Sequence, residues 1–398
     1  MDPLRLRPSR YPAEMSEKLL TAIRQHNPLA VWKAYQDICD KNNLSKLPAE
    51  YHSMALQAFQ LKRLKAYGPK VIKFYRKCLL HILENMKAQE HKLNVRDYNL
   101  FLDFYGRSHD WNSAVNCWKE LNKEQQPNEY SYNLYLFAAL QCKKYEEVFR
   151  IFNKMKESKI KPNESTCNIM IEAHGCLGHV QDADQIFSTY FLPKQPKQAS
   201  LMSSLLHPEL STVERPSFTS LMAPIARSLP PPKMTDTNTI PAQFKPNRDT
   251  FIALINAHGR NKNVAGLSYI YNTMLPKYEI EPDLKIYNTL IEWFCFNGDI
   301  ELARRMFVNM GKADVQPNAV TFQHLFRHEA IKRKRPKAAE DLINFMKNEY
   351  GIRPLLSMYQ TLIKIHNKSN REDEAKRLHK EYIELKHKLS SPAHSSNN

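Results

Sequence analysis

Apolar residues in the segment 284–318, LKIYNTLIEWFCFNGDIELARRMFVNMGKADVQPN, fall at helical spacing in two halves divided by Asn297-Gly298. The same pattern recurs along the chain. The residue after the first-helix aromatic position is Asn99, Asn133, Asn168, Ile252, Asn288, Gln323 and Gln360, at spacings of 34, 35, 84, 36, 35 and 37. A second-helix row runs Ala114, Val148, Ala183, Leu267, Ala303, Ala339 and Ala375. Large apolar residues follow four and seven positions later, as in Phe152/Met155 and Phe307/Met310. A helix-turn-helix unit repeating at about 35 residues predicts an all-α protein, a stacked α-solenoid, because one helix pair cannot bury its apolar face alone.

The repeats end alike. Pro127-Asn128, Pro162-Asn163, Pro246-Asn247, Pro282-Asp283 and Pro317-Asn318 each close one unit and lead into the next first helix. The chain thereby resembles the pentatricopeptide repeat family from position 94 to about 385, apart from one insertion. The tetratricopeptide core, Trp-x2-Leu-Gly-x2-Tyr, is missing where the period would place it. The resemblance implies a right-handed solenoid.

It also implies a site. In that family each repeat is expected to meet one RNA base through the residue after the aromatic and the repeat's last residue. The pairs are Asn99 with Asn128, Asn133 with Asn163, Asn168 with Asn247, Ile252 with Asp283, and Asn288 with Asn318. An asparagine amide offers a donor and an acceptor, and the family's code then implies pyrimidines, with one poorly specified base at Ile252. Helix capping is the competing reading of these asparagines. The family's base-sandwiching position is typically aliphatic, but here it holds Arg96, Tyr130, Ser165, Asp249 and Lys285, so weaker stacking is expected. Gln323 and Gln360, with Leu355 closing the repeat between them, do not form a reading pair.

The sequence divides into a basic tail (1–13), divergent helical repeats (14–93), repeats (94–190), a Pro/Ser-rich insertion (191–246), further repeats with a capping helix (247–385), and a polar tail (386–398). The insertion holds ten of the 24 prolines and no helical period, reads as disordered, and accounts for the spacing of 84. The stretch 62–91 interleaves Lys62, Arg63, Lys65, Lys70, Lys73, Arg76 and Lys77 with Tyr67, Phe74 and Tyr75. It suits phosphate contacts beside stacking groups, or a solvated helix face. The basic run 327–337 reads as a solvated, phosphate-contacting turn or a nuclear-import signal.

Lysine plus arginine number 58 against 41 acids, a net charge of +17, which favours a polyanionic partner such as nucleic acid or an anionic membrane surface. No apolar run is long enough to span a bilayer. The seven cysteines show no C-x2-C pair and fit reduced thiols. Cys167, His174, Cys176 and His179 could form a zinc set, but Ala257-His258-Gly259 echoes Ala173-His174-Gly175 with no following cysteine. No metal or cofactor is therefore expected. Arg5, Arg7 and Arg10 lean toward an organelle-targeting segment, whereas Pro3, Pro8 and Pro12 spoil its helix.

The leading expectation is a monomeric, non-enzymatic binder of single-stranded RNA. By resemblance it acts in mitochondrial RNA metabolism: transcript or rRNA processing, stabilisation or translation. A mitochondrial-matrix location follows from the same resemblance, with nuclear or cytoplasmic as alternatives. A protein scaffold in mitochondrial ribosome or respiratory-complex assembly is the alternative function. No P-loop, H-E-x-x-H or nucleophile elbow is present to support an enzyme.

Overall fold

A computed structural model describes residues 13–41, 44, 47–59, 61, 68–193 and 243–390. The described residues are helices and turns with no strand, and they fall into two compact units within Met1–Ile169 and Met170–Asn398. The sequence-read basic tail apart from Ala13, most of the insertion, and positions 62–67 and 391–398 lie outside the described residues.

The first unit contains α1 (Ala13–Arg24), α2 (Pro28–Asp40), α3 (Ala49–Gln57), α4 (Pro69–Ala88), α5 (Val95–Arg107), α6 (Trp111–Glu124), α7 (Glu129–Gln141) and α8 (Tyr145–Glu157). Helix α9 (Glu164–Leu177) follows. The second unit contains α10 (Val180–Phe191) and α11 (Arg248–Arg260). Its α12 runs through Val264–Tyr269, a π-helical turn Ile270–Met274, and Leu275–Lys277. Then come α13 (Leu284–Asn297), α14 (Ile300–Lys312), α15 (Ala319–Arg327) with a π-helical turn His328–Lys332, α16 (Pro336–Asn348), α17 (Leu356–Lys368) and α18 (Glu372–Ser390). Within each unit first helices pack on first helices, α5 on α7 and α13 on both α11 and α15.

The periodic rows are the core. Ala114, Val148, Ala183, Leu267, Ala303, Ala339 and Ala375 are all buried, as are Tyr98, Tyr132, Cys167, Phe251, Tyr287, Phe322 and Tyr359 before the reading position. Small residues at the first row let the two helices of a pair approach, and the buried apolar area supplies the driving force.

The turn between the two helices carries a left-handed residue in each repeat: His109, Lys143, Gly178, Lys262, Gly298 and Asn370 each stand ten positions after the reading residue. In the repeat of Gln323 the left-handed residue is Lys334, eleven positions on, and the π-helical turn His328–Lys332 takes up the extra residue. The 36-residue spacing from Ile252 has a matching cause in the π-helical turn Ile270–Met274. One surplus residue in each of these two repeats is thus a local underwinding inside a helix.

First helices come closest where a glycine faces a small residue. A Cβ on Gly106 would lie 3.0 Å from Ala138, and one on Gly175 would lie 2.5 Å from Ala257. Phe191, which the sequence reading placed at the start of the insertion, is instead buried at the end of α10. Across the insertion, Phe244 stacks on Tyr190 at 6.2 Å and donates its backbone N–H to the Tyr190 carbonyl at 3.0 Å.

Candidate nucleic-acid interface

Capping divides the ten sequence-selected residues into two kinds. Asn128, Asn247, Asp283 and Asn318 are the N-cap residues of α7, α11, α13 and α15, each accepting a backbone N–H in its side-chain oxygen. Asn163 does the same for α9, accepting the Thr166 N–H at 2.9 Å. Such caps stabilise a helix by about 1 kcal/mol. Asn99, Asn133, Asn168, Ile252 and Asn288 each occupy the fifth residue of a first helix and cap nothing. Asn94, which the sequence reading passed over, caps α5 in a reciprocal box with Asp97. The signal was an Asn three residues before an acid.

Two predicted pairs meet directly. Asn133 Nδ2 donates to Asn163 Oδ1 at 3.1 Å, and Asn288 Nδ2 donates to Asn318 Oδ1 at 3.3 Å. In each, a threonine at the third position of the next helix reaches back: Thr166 Oγ1 lies 2.6 Å from Asn133 Oδ1, and Thr321 Oγ1 lies 2.6 Å from Asn288 Oδ1. Asn163 also donates to Glu129. These carboxamides use both ends on neighbouring protein groups.

Asn99 is different. It is 5% exposed, and its Oδ1 has no hydrogen-bond partner. The residue matching Thr166 is Ser131, whose hydroxyl contacts only its own cap, Asn128 Oδ1, at 3.0 Å. A buried polar atom left without a partner costs about 1–3 kcal/mol, which a ligand could recover. Asn99 and Asn128 line one cavity of about 880 Å³ with Arg96, Tyr130, Phe59 and Leu61. Arg96 and Tyr130 hold the sandwich position of consecutive repeats, and Tyr130 is 60% exposed. Asn168 likewise has a buried Oδ1 with no partner.

The slot of Ile252 is closed by charge. Ile252 is buried, Arg248 Nη1 donates to Asp283 Oδ2 at 3.1 Å, and the sandwich residues Asp249 and Lys285 pair at 3.1 Å. Among the last repeats, Gln360 Nε2 donates to Tyr382 Oη at 3.1 Å, and Leu355 caps α17 without a side-chain bond.

Other sequence candidates resolve as follows. In the described part of 62–91, Tyr75 is buried edge-on against Phe59 at 5.2 Å, and Arg76 is ion-paired with Asp110, so these two belong to the fold. Near the weighed zinc set, the donor atoms that converge within 4.8 Å are those of His174, His179 and Asp182, without the cysteines. Burial lowers the His174 pKa, with Asp182 opposing. In the basic run, Lys332 donates to the carbonyls of Cys295 and Phe296, ending α13. No described helix is long and apolar enough to cross a membrane.

Comparison with known proteins places these helices in a family. A model described as PPR repeat family matches residues 127–176 and 282–330, one described as Pentatricopeptide repeat domain matches 241–295, and one described as PPR repeat matches 165–189 and 357–387. The chain is similar to "Pentatricopeptide repeat-containing protein 1, mitochondrial" of Pongo abelii and of Homo sapiens. It is 22% identical to each, over 71% of this chain and 52% of theirs. It thus spans about half the length of these curated relatives. The crystal structure of the pentatricopeptide repeat protein PPR10 in complex with an 18-nt psaJ RNA element matches with a TM-score of 0.52 and 16% identity, over 92% of this chain and 51% of that one. That likeness is one of fold.

Proposed function

We propose that this chain, a pentatricopeptide repeat protein, binds single-stranded RNA sequence-selectively along its row of first helices. The observation that carries the reading is Asn99: its buried carboxamide has an unpartnered oxygen, and the residue lines a cavity with Asn128, Arg96 and Tyr130. An amide can accept from the exocyclic amine of cytosine or the ring N–H of uracil, and donate to a base carbonyl, so it suits either pyrimidine. Arg96 and Tyr130 supply a guanidinium plane and a ring for stacking. The net charge of +17 draws the phosphate backbone in without reading sequence. The closing residues Asn128, Asn163, Asn247, Asp283 and Asn318 serve as caps and reading partners at once.

The chain acts as a binder, and cleavage of bound RNA falls to other proteins. The mitochondrial names of its relatives support a mitochondrial role in which it protects, matures or presents a transcript, including an rRNA, to the translation machinery. Binding of short pyrimidine and purine strands across a salt series tests the core of this. Pyrimidine strands should bind more tightly, the affinity should fall steeply with salt, and Asn99→Ala should weaken pyrimidine binding roughly tenfold. Salt-insensitive or absent RNA binding would instead assign the surface to a protein partner. Fractionation of cells expressing the tagged native protein tests the compartment.

A further inference from the structure

A second hollow lies at the far end of the first helices. Arg260 at the end of α11, Trp293 and Phe296 on α13, and His324, Arg327 and Lys332 around α15 and its π-helical turn line a cavity of about 460 Å³. Its aromatic wall is built of Trp293 and Phe296, whose rings meet edge to face at 5.4 Å. Phe296 is 55% exposed. Cations flank both rings: the Arg260 guanidinium lies 5.6 Å from the Trp293 ring centre, and Lys332 Nζ lies 5.6 Å from that of Phe296. Glu292 is the one acid among the lining residues.

Trp293 stands five positions after the reading residue, where the repeats of Asn133, Asn168 and Ile252 have Ala138, Ala173 and Ala257. Those alanines are fully buried or nearly so. Trp293 is half-buried, and Gly259 makes room for it, since a Cβ there would lie 2.2 Å from the ring. Its indole N–H is anchored to Asn256 Oδ1 at 2.9 Å, which fixes the ring plane. The remaining repeats have Phe104, His328 and Ile365 at this position, so its size varies from repeat to repeat, and Trp293 is the indole among them. Burial lowers the His324 pKa, with Glu292 opposing and Arg327 adding to it, which favours the neutral imidazole.

We propose that this hollow holds one nucleotide of single-stranded RNA, its base stacked on Trp293 with its edge against Phe296, and its phosphate held by Arg260 and Arg327. The site rests on the RNA-binding reading above, but it works differently. Ring stacking accepts any base, so the hollow adds affinity without selectivity.

The test uses the full chain with short homopolymeric RNA strands. Trp293→Leu should weaken pyrimidine and purine strands alike, by roughly five- to hundredfold, leaving their ratio unchanged. Phe296→Ala, at an exposed ring, should act in the same direction without threatening the fold. Arg327→Gln should reduce the salt slope by about 0.7, one phosphate's share. Strand binding should also quench a tryptophan signal that is absent in Trp293→Phe. If Trp293→Leu and Phe296→Ala bind RNA like wild type, the hollow is no RNA site, and an apolar protein segment becomes its occupant. If Asn99→Ala keeps the base ratio while Trp293→Leu loses affinity, the reading fails and the hollow stands. A wild-type chain that binds no strand sinks both.

Discussion

The repeats of Asn99 and Asn133 share a fold, a register and a reading residue, yet their asparagines have opposite chemistry. Asn133 is held by Asn163 and Thr166, as Asn288 is by Asn318 and Thr321. Asn99 lines a cavity and its buried oxygen has no partner. Beside Asn99 the residue matching Thr166 is Ser131, whose hydroxyl turns to its own cap Asn128, and beside Asn168, whose oxygen is also unpartnered, Thr250 likewise turns to its own cap Asn247. The hydroxyl at that position therefore has two partners within reach, its own cap and the preceding asparagine, and the packing of each repeat decides between them. An identical letter at an identical position therefore stands with its oxygen partnered in two repeats, those of Asn133 and Asn288, and unpartnered in two, those of Asn99 and Asn168.

The largest expected effect separates the two sites by pH. Helix α3, whose Gln57 lines the Asn99 cavity, buries His52 against Tyr35 Oη at 2.7 Å, with the His91 ring 5.4 Å away. Burial, reinforced by His91, pushes the His52 pKa down to about 4. The folded state thus prefers neutral His52, so its stability is full above the ordinary value of about 6.5 and falls as pH drops toward 4. The loss reaches about 3 kcal/mol. Hydrogen exchange at pH 5 should show α3 and α5 loosening before α13 and α15, and His52→Gln should abolish the difference. Equal loosening everywhere would detach the open site from this wall.

Next in size is the stability contrast. Asn133→Ala strips two hydrogen bonds from buried partners and should cost about 1–3 kcal/mol in urea unfolding, whereas Asn99→Ala, removing an unpartnered oxygen, should cost much less. The same two variants should trade places in RNA affinity, with Asn99→Ala the weaker binder. Matching losses in both assays would show that the carboxamides are equivalent after all. Smaller still, Ser131→Thr should supply Asn99 with its missing donor, raising stability by about 0.5–1.5 kcal/mol while lowering pyrimidine affinity. The least effect is expected from Asp249→Asn. Its partner Lys285 is 57% exposed, and such a pair contributes about 0–1 kcal/mol, so unfolding should barely move.

The repeat rows, the Pro-Asn closures and the recurring fifth residue of each first helix were legible in the sequence because burial recurs at a fixed period. What the sequence could not carry was the state of each side chain. Whether Asn99 or Asn133 is saturated depends on a hydroxyl about 32 or 33 positions away. The basic stretch around Arg76 and Tyr75 shows a related limit. A residue type gives a charge or a ring, and only the packing of α4 shows that Asp110 and Phe59 already occupy them. Capping and reading looked like rival accounts of the asparagines, yet the closing residues cap while the first-helix ones do not.

The two π-helical turns bear on how such a chain can change over generations. Each absorbs one surplus residue within the helix that contains it, so the next left-handed turn and the next cap resume their phase. A single-codon insertion in the body of a helix is then a survivable accident, heard only locally. The same insertion between a left-handed helix end and the following Pro-Asn would fall in a tight turn, with no helix there to absorb it.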